Sequence, residues 1–255
     1  MLLKEKEGLK FLTFSHFEKF NNLFHLFTTR IYKNTNDFNL NKRLLDSDIQ
    51  IKNNYSTLCR IFNIPPENLV FSDQVHDNKI KIITQNSDSI KEIDGLITNE
   101  KNIFLVTYYA DCTPIYFYDY KKEIIALAHS GWKGTLKRIA QKTINTMVTN
   151  FNSNPSDILV GIGPSIGPES FEVKDDVKSL FEKEFNYNDI IIRKSGKIYI
   201  DIWKTIKYQL IESGIPENNI ESSNLDTYKR ADLFFSYRKE KTSGRMAAIM
   251  GLIDK

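Results

Sequence analysis

Residues 107–120 read TYYADCTPIYFYDY, and residues 124–135 read IIALAHSGWKGT. The pattern predicts three β-rich runs: one that leads to Cys112, one that follows across Pro114, and one that ends at His129. Glycines and a helical pattern come directly after that histidine. Strand ends that are followed by a glycine-bearing turn into a helix often carry the functional residues of α/β proteins. We therefore expect the functional site around Cys112 and His129.

Strand and helix patterns continue on both sides of this stretch. Helices are predicted at about residues 48–63, 135–150 and 172–185, and between an N-cap at Asp201 and a terminating Gly214. Strands are predicted at residues 23–30, 69–71, 79–84, 96–98, 157–162, 190–193, 197–200, 233–237 and 246–252. Strands outnumber helices and several form hairpins, which indicates a mixed α/β fold with mixed sheets packed together and flanked by helices. No segment resembles an interdomain linker, so residues 1–255 are expected to form a single domain.

The composition favours an ordinary globular protein. Hydrophobic residues make up 41% of the chain and charged residues 26%, and the net charge of +3 is spread along the sequence. This argues against a nucleic-acid partner, which favours a basic stripe. The N-terminus lacks the apolar core of a signal peptide, and no apolar run reaches the about 20 residues that span a bilayer. Cys59 and Cys112 do not form a disulfide framework, so we expect a soluble, cytoplasmic protein without a membrane partner.

Three residues form a candidate metal site. His76, Cys112 and His129 each follow an apolar strand, and two imidazoles with one thiolate suit Zn²⁺ while leaving a fourth position for water or substrate. Their wide spacing leaves three interpretations open: a zinc site, a metal-free catalytic Cys–His pair, or a buried thiol with hydrogen-bonded histidines. Copper is disfavoured, because no methionine lies near these motifs as an axial ligand. His16 and His25, the other two of the four histidines, are too few for a multicopper cluster.

Six motifs occur in order along the chain: QVH at 74–76, DGLIT at 94–98, ADCTP at 110–114, AHSGWKGT at 128–135, GPSIG at 163–167 and FSYRKEKTSGRM at 235–246. With this set, the chain resembles the laccase-domain family, also called YfiH-like or polyphenol-oxidase-type proteins, from about residue 25 to the C-terminus. The resemblance implies one α/β domain similar to bacterial toxin deamidases with a Cys–His pair, and a zinc site at His76, Cys112 and His129. It also implies phosphorolysis of adenosine, inosine, guanosine or methylthioadenosine, with adenosine deamination as a companion reaction.

Phosphorolysis requires groups that bind phosphate. Arg30, Lys133, Arg238 and Arg245 are the candidates, because cationic side chains, arginine above all, bind phosphate oxygens. The amides of the glycine-rich loop at residues 161–167 either form an anion-binding nest or stabilise a tight structural turn.

Several roles remain open at the level of the sequence. Zinc deaminases use a carboxylate for proton transfer, and here Asp94 or Asp111 is expected to transfer the proton or to orient a metal ligand. Asp226 stands where family members usually carry a cysteine, so it either alters substrate choice or is a solvated carboxylate. A different mechanism is a cysteine amide hydrolase acting on a cell-wall precursor, with Cys112 as nucleophile and His129 as base.

Overall fold

A computed structural model describes residues 1–84, 90–241 and 244–254 of the chain. Within these residues the strands are β1 (Leu2–Lys6), β2 (Leu9–Thr13), β3 (Leu23–Tyr32), β4 (Leu69–Phe71), β5 (Ile80–Ile82), β6 (Gly95–Thr98), β7 (Phe104–Tyr109), β8 (Thr113–Asp119), β9 (Ile124–Ser130), β10 (Ile158–Ile162), β11 (Glu172–Val173), β12 (Ile191–Lys194), β13 (Lys197–Ile200), β14 (Ile220–Ser222) and β15 (Met246–Leu252). The α-helices are α1 (Ile49–Phe62), α2 (Trp132–Leu136), α3 (Ile139–Phe151), α4 (Asp175–Glu184), α5 (Ile202–Glu212) and α6 (Tyr237–Glu240). None of these described helices has the length and apolar character that crossing a membrane requires.

Two six-stranded sheets hold most of the described strands. The strand order is β1-β2-β3-β15-β7-β4 in the first sheet and β14-β10-β8-β9-β6-β5 in the second. Most neighbours are antiparallel, but β4 with β7, β5 with β6 and β10 with β14 are parallel, so both sheets are mixed. A small third sheet, β11-β13-β12, contains the hairpin that the sequence predicted.

The side chains of β8 show how the sheets are layered. Tyr116 and Tyr118 belong to the core between the two large sheets, whereas Ile115 and Phe117 belong to the core that packs against α3 and α5. This alternation follows from the strand itself, because successive side chains point to opposite faces. On the other side of the molecule, α1 packs on the outer face of the first sheet. The resulting order of helix, sheet, sheet and helix confirms the predicted fold class.

The single helix predicted at residues 135–150 is two helices. The chain leaves the helical conformation at Arg138, whose φ of 58° is left-handed. Its guanidinium binds the carboxylates of Glu184, at 2.6 Å, and Glu212, at 3.1 Å. These residues end α4 and α5, so contacts between distant helices stabilise a conformation that is unfavourable for a non-glycine residue. The hydrophobic periodicity of the sequence carries no record of such contacts.

Two other predicted elements need correction. The helix expected at residues 172–185 begins at Asp175, because the two residues of β11 pair with β13 instead. The strand expected at residues 233–237 is a turn followed by α6, and the N–H of Phe235 donates to Sδ of Met246 at 3.0 Å rather than to a strand. The apolar side chains of that segment still fill the core between the large sheets. Hydrophobicity therefore predicted burial correctly, but not the backbone conformation.

The ends of α1 and α5 agree with the sequence prediction. Asp48 caps α1 by accepting the N–H of Gln50 at 2.9 Å, and Asp201 caps α5 by accepting the N–H of Lys204 at 2.8 Å. Gly214 follows α5 with a φ of +87°, the left-handed conformation that glycine adopts at helix ends. The capping residues predicted for α5 are therefore confirmed, and the bounds predicted for α1 from periodicity are also close to those observed.

Candidate active site

Cys112, His76 and His129 meet at one end of the second sheet. Cys112 directly precedes β8, His129 is the last residue but one of β9, and these neighbouring antiparallel strands bring Pro114 opposite His129. His76 reaches the same place from the loop after β4. The donor atoms of the three side chains lie within 4.8 Å of one another, with 3.9 Å between Sγ of Cys112 and Nδ1 of His76. Residues that are far apart in the sequence are thus one cluster.

Gly131 leaves the space that this cluster needs. A Cβ atom at this position would lie 2.8 Å from Nδ1 of His76 and 3.1 Å from Sγ of Cys112. Both distances are shorter than van der Waals contact, so any other residue would displace the donor atoms. The motif after His129 predicted a functional turn, but this steric role becomes visible only in three dimensions.

Asp94 holds the two segments that carry the histidines. Its Oδ1 lies 2.7 Å from Nδ1 of His129 and accepts the backbone N–H of His76 at 3.0 Å. Its Oδ2 accepts the N–H groups of Val75 and Asp77. The carboxylate is fully buried. Because it binds Nδ1 of His129, Nε2 of that ring is left for the site, which is how carboxylates orient histidine ligands at metal centres.

Cys112 and His129 strongly influence each other's protonation. Burial alone would raise the pKa of the Cys112 thiol, but the charge of His129 and hydrogen bonds to His129 and His76 lower this pKa to about 6. Burial alone would lower the pKa of His129, but Cys112 and Asp94 raise it to about 9. The surroundings therefore favour a thiolate, which is the form of cysteine that binds metals and attacks carbon centres.

The cluster fits a zinc ion by its chemistry. One thiolate and two imidazoles, with a carboxylate behind one imidazole, are a donor set that zinc uses with a fourth position open. In the part of the chain that the structure describes, it is the one group of three or more such side chains close enough to hold a metal. His16 and His25 lie elsewhere, and Nε2 of His25 accepts the N–H of Phe14. A multicopper cluster requires more imidazoles than this.

A cavity of about 500 Å³ opens at the cluster, which is within the usual size of small-molecule sites. Besides the three donors, its wall contains three arginines and several aromatic side chains: Arg43, Arg238, Arg245, Tyr108, Trp132, Phe171 and Tyr237. Asp111 is the only carboxylate among the described lining residues. Its oxygens accept the hydroxyl of Thr227 at 2.7 Å and the backbone N–H of Arg238 at 2.6 Å. The wall is therefore cationic on balance and partly aromatic.

The structure separates the four residues that the sequence suggested for phosphate. Arg238 and Arg245 line the cavity, whereas Arg30 and Lys133 do not. Nη1 of Arg30 lies 2.6 Å from Oε1 of Glu240, so this arginine connects β3 to α6. Lys133 is exposed, and its ammonium lies beside the ring of the preceding tryptophan.

Arg43 is the cationic cavity residue that sequence reasoning missed. It lies in the asparagine-rich loop before α1, and its Nη2 donates to the carbonyl of Gln74 at 2.9 Å. A single arginine in a polar loop gives little signal, because the loop path depends on distant contacts. Burial lowers the pKa of Arg245, and the neighbouring charge of Arg43 lowers it further, while Cys112 and Asp111 oppose both effects.

The glycine-rich loop is a structural turn. Its amides donate to backbone carbonyls: Gly163 to Pro114, Ser165 to Leu225 and Ile166 to Asp111. Amides that are already paired are not available to an anion, so the alternative of an anion-binding nest is wrong at these positions.

Asp226 holds the turn next to this loop and does not line the cavity. Its Oδ2 accepts the hydroxyl of Ser170 at 2.6 Å, and its Oδ1 accepts the N–H of Tyr228 at 3.0 Å. A Cβ atom on Gly167 would lie 2.7 Å from the same Oδ2. The carboxylate is therefore a structural element, rather than the solvated or substrate-selecting group that the sequence suggested.

Comparisons with known proteins agree with this fold and site. Residues 24–253 match the model of a family described as multi-copper polyphenol oxidoreductase laccase, and the chain belongs to this family. Purine nucleoside phosphorylase SSP1584 of Staphylococcus saprophyticus is 36% identical over 228 residues, which cover 85% of each chain. Purine nucleoside phosphorylase YlmD of Bacillus subtilis is 33% identical over 219 residues, which cover 81% of this chain and 79% of that protein. The crystal structure of YlmD from Geobacillus stearothermophilus matches with a TM-score of 0.88 and 28% identity, covering 98% of each chain.

Proposed function

We propose that the protein is a zinc-dependent purine nucleoside phosphorylase, which converts adenosine, inosine, guanosine or methylthioadenosine and phosphate into the free base and the sugar 1-phosphate. One observation carries the proposal: the donor set of His76, Cys112 and His129 shares a cavity with three arginines and several aromatic rings. Relatives that bear the name purine nucleoside phosphorylase support the choice of reaction.

Phosphorolysis needs an anion held next to the sugar. A phosphate oxygen forms a bond to C1′ while the bond from C1′ to the base breaks, and the base leaves with the bonding electrons and takes up a proton. Arg43, Arg238 and Arg245 are the proposed phosphate-binding residues, because guanidinium groups donate paired hydrogen bonds to phosphate oxygens. They also neutralise the charge of the nucleophile in a cavity that is partly shielded from water.

The cavity must also bind the purine base, which is the leaving group of the reaction. The rings of Trp132 and Tyr237 offer surfaces on which a purine can stack. A zinc ion held by His76, Cys112 and His129 would supply a Lewis acid in the same cavity. The work of the protein there is to fix the donors, which it does through Asp94 and the space at Gly131.

Adenosine deamination is the companion activity in this proposal. It requires an activated water at C6 and a group that transfers protons. Asp94 is occupied by His129 and three amides, and Asp111 by Thr227 and the N–H of Arg238. Since both carboxylates are engaged in positioning, we expect deamination to be slower than phosphorolysis.

A cysteine amide hydrolase is the second candidate, and one observation favours it. Cys112, His129 and Asp94 have the order of nucleophile, base and orienting carboxylate that such enzymes use. A cell-wall precursor amide would be the substrate. We rank this candidate lower because it leaves His76 and the arginines of the cavity without a role.

The proposed partners are small molecules only, namely the nucleoside and phosphate. The dispersed net charge of +3 gives no basic stripe for nucleic acid. A thiolate donor and the free, buried Cys59 suit a reducing compartment, so we propose a cytoplasmic location.

Chromatography of adenosine incubated with zinc-loaded protein, with and without phosphate, tests the proposal. We expect adenine and ribose 1-phosphate only in the sample with phosphate, and a slower appearance of inosine in both samples. If adenosine, inosine, guanosine and methylthioadenosine all remain intact, the nucleoside proposal is wrong and the amide hydrolase becomes the leading candidate.

A further inference from the structure

We propose that Asn39 is a positioning residue that sets Arg43 and Arg245 for phosphate binding. This inference rests on the proposed function, because it assigns a part in holding the phosphate of that reaction. Asn39 itself is half-buried and lies outside the cavity wall. It therefore acts through the two arginines and not by contact with a substrate.

One side-chain oxygen of Asn39 joins two distant segments. Its Oδ1 accepts the backbone N–H of Arg245 at 2.9 Å and the backbone N–H of Asn41 at 3.0 Å. The next residue completes the connection, because the N–H of Leu40 donates to the carbonyl of Arg245 at 2.9 Å. Both backbone polar groups of Arg245 are thus fixed by the pair of residues 39 and 40.

Two consecutive turns of the same type connect Asn39 to Arg43. The side chain of Asn39 accepts the N–H of the residue two positions later, and the side chain of Asn41 does the same for Arg43 at 3.2 Å. Asparagine favours such turns because its short carbonyl reaches the backbone two residues ahead. The guanidinium of Arg43 then donates to Gln74, two residues before His76. This series of hydrogen bonds therefore connects Asn39 to the segment that carries His76.

Helix α1 anchors this loop. Asn54 donates from Nδ2 to the carbonyl of Asn39 at 3.0 Å, and the hydroxyl of Tyr55 donates to the carbonyl of Leu40 at 2.7 Å. Tyr55 is buried against the first sheet. A loop that is tied to a packed helix holds its side chains more narrowly than a free loop does, which is what an arginine pair for one anion requires.

Like charge is the reason that such a frame is needed. Arg43 is close enough to Arg245 for its positive charge to lower the pKa of Arg245, and an anion between two like charges relieves their repulsion. Without the Asn39 oxygen, one of the two hydrogen bonds that join these segments is lost, and the bond from Leu40 to Arg245 holds them alone. The expected loss is therefore in affinity for phosphate and not in the chemical step.

The test compares Asn39→Ala with Asn39→Asp in zinc-loaded protein, with Asn36→Ala as a matched control at an exposed position of the same loop. Asn39→Ala removes the acceptor, and we expect the KM for phosphate to rise about tenfold. The kcat and the KM for nucleoside should stay within about twofold, since the effect is confined to the anion. Asn39→Asp keeps an oxygen for both amides and should return the KM for phosphate to within about threefold of the wild type.

An unchanged KM for phosphate in Asn39→Ala overturns the inference, as does a fall in kcat and stability that Asn39→Asp does not restore. If Asn39→Ala yields no folded protein, Asn39→Ser replaces it, because a hydroxyl is too short to accept both amides. If the wild type shows no phosphate-dependent turnover, the proposed function fails first. Thermal unfolding in increasing inorganic phosphate then tests Asn39 alone: wild-type stabilisation that needs about tenfold more phosphate in Asn39→Ala supports it, and equal or absent stabilisation contradicts it.

Discussion

Two buried histidines, His129 and His25, have pKa values that are shifted in opposite directions. Both lie on strands of the large sheets, and their exposed fractions are 2% and 7%. Burial lowers the pKa of each, because it disfavours the charged form. At His129 the neighbouring Cys112 and Asp94 outweigh burial, and the pKa is raised to about 9. At His25 burial prevails, and the pKa is lowered to about 4.

The groups that face each ring explain the difference. His129 has the carboxylate of Asp94 at 2.7 Å, whereas Nε2 of His25 accepts the N–H of Phe14 at 2.9 Å and therefore carries no proton. The rings of Phe14 and Phe17 lie 6.3 Å and 5.0 Å from that of His25. His129 therefore lies in a cluster of side chains close enough to hold a metal, whereas His25 lies among aromatic rings. Charged partners that outweigh the effect of burial therefore indicate a candidate site, whereas a ring whose pKa follows burial belongs to the core packing.

Removing each ring gives the largest contrast. His129→Ala should lose bound zinc and lower phosphorolysis by about a thousandfold, because one of the three proposed donors is missing and the Lewis acid that zinc would supply is lost. Cys112→Ala should behave in the same way. His25→Ala should keep zinc and activity per folded molecule while losing stability. Metal analysis and turnover measurements check this, and zinc retention in His129→Ala contradicts the assignment of ligands.

The two cysteines should differ strongly in thiol reactivity when the protein holds no metal. The pKa of Cys112 is about 6, whereas burial raises the pKa of Cys59 to about 11. Because the thiolate is the reactive form, Cys112 at pH 6 should contain roughly a hundredfold more of it than an ordinary thiol. Iodoacetamide labelling followed by mass spectrometry should modify Cys112 with a midpoint near pH 6 and spare Cys59. Labelling of Cys112 only above pH 8 argues against the thiolate.

His25 predicts a loss of stability in acid. The unfolded chain protonates this residue near pH 6.5, while the folded chain resists protonation down to about pH 4. The free energy of unfolding therefore does not suffer from His25 above pH 6.5. As the pH falls toward 4, it declines, by about 2–3 kcal/mol at pH 4.5. His25→Gln keeps an acceptor for Phe14 without titrating, so urea unfolding should show a smaller loss between pH 7 and 4.5. His16, whose pKa burial lowers to about 4, leaves part of the loss in place. Equal losses in wild type and variant contradict this account of His25.

The carboxylate behind His129 should have the smallest of these effects. Asp94→Asn keeps the size of the side chain but places an amide against the N–H groups that Asp94 accepts, so His129 and His76 lose their fixed orientation. Zinc affinity should weaken by about 10- to 100-fold in a chelator competition. Asp77→Asn is the matched control, because Asp77 is partly exposed and pairs with Lys137. Unchanged zinc affinity in Asp94→Asn means that the carboxylate does not support the ligand.

Local patterns were sufficient to predict that Cys112 and His129 lie at the ends of neighbouring strands. Cys112 and His129 end apolar runs, and the pairing of β8 with β9 follows from the short charged turn between them. Two imidazoles and one thiolate suit zinc, but the residues alone left a metal-free Cys–His pair or a buried thiol equally open, and the family resemblance was needed to favour zinc. The same reasoning predicted mixed sheets with flanking helices, since alternation and capping are properties of short segments.

Features that depend on long-range contacts were not predictable in this way. Arg43 reaches the cavity because Asn39 ties its loop to Arg245, a partner near the other end of the chain. Arg30 was predicted to bind phosphate, but in the structure it forms an ion pair with Glu240. The break at Arg138 likewise depends on carboxylates from other helices. In each case an arginine is positioned by residues that no local pattern connects to it.

The proposed phosphorylase activity is tested most directly by ³¹P nuclear magnetic resonance of zinc-loaded protein with inosine and inorganic phosphate, run beside Cys112→Ala. We expect the wild type to convert phosphate into a sugar 1-phosphate resonance as hypoxanthine appears, and the variant to leave both substrates unchanged. Hypoxanthine without a phosphate ester, or equal conversion by Cys112→Ala, would contradict a phosphorylase that depends on this cluster.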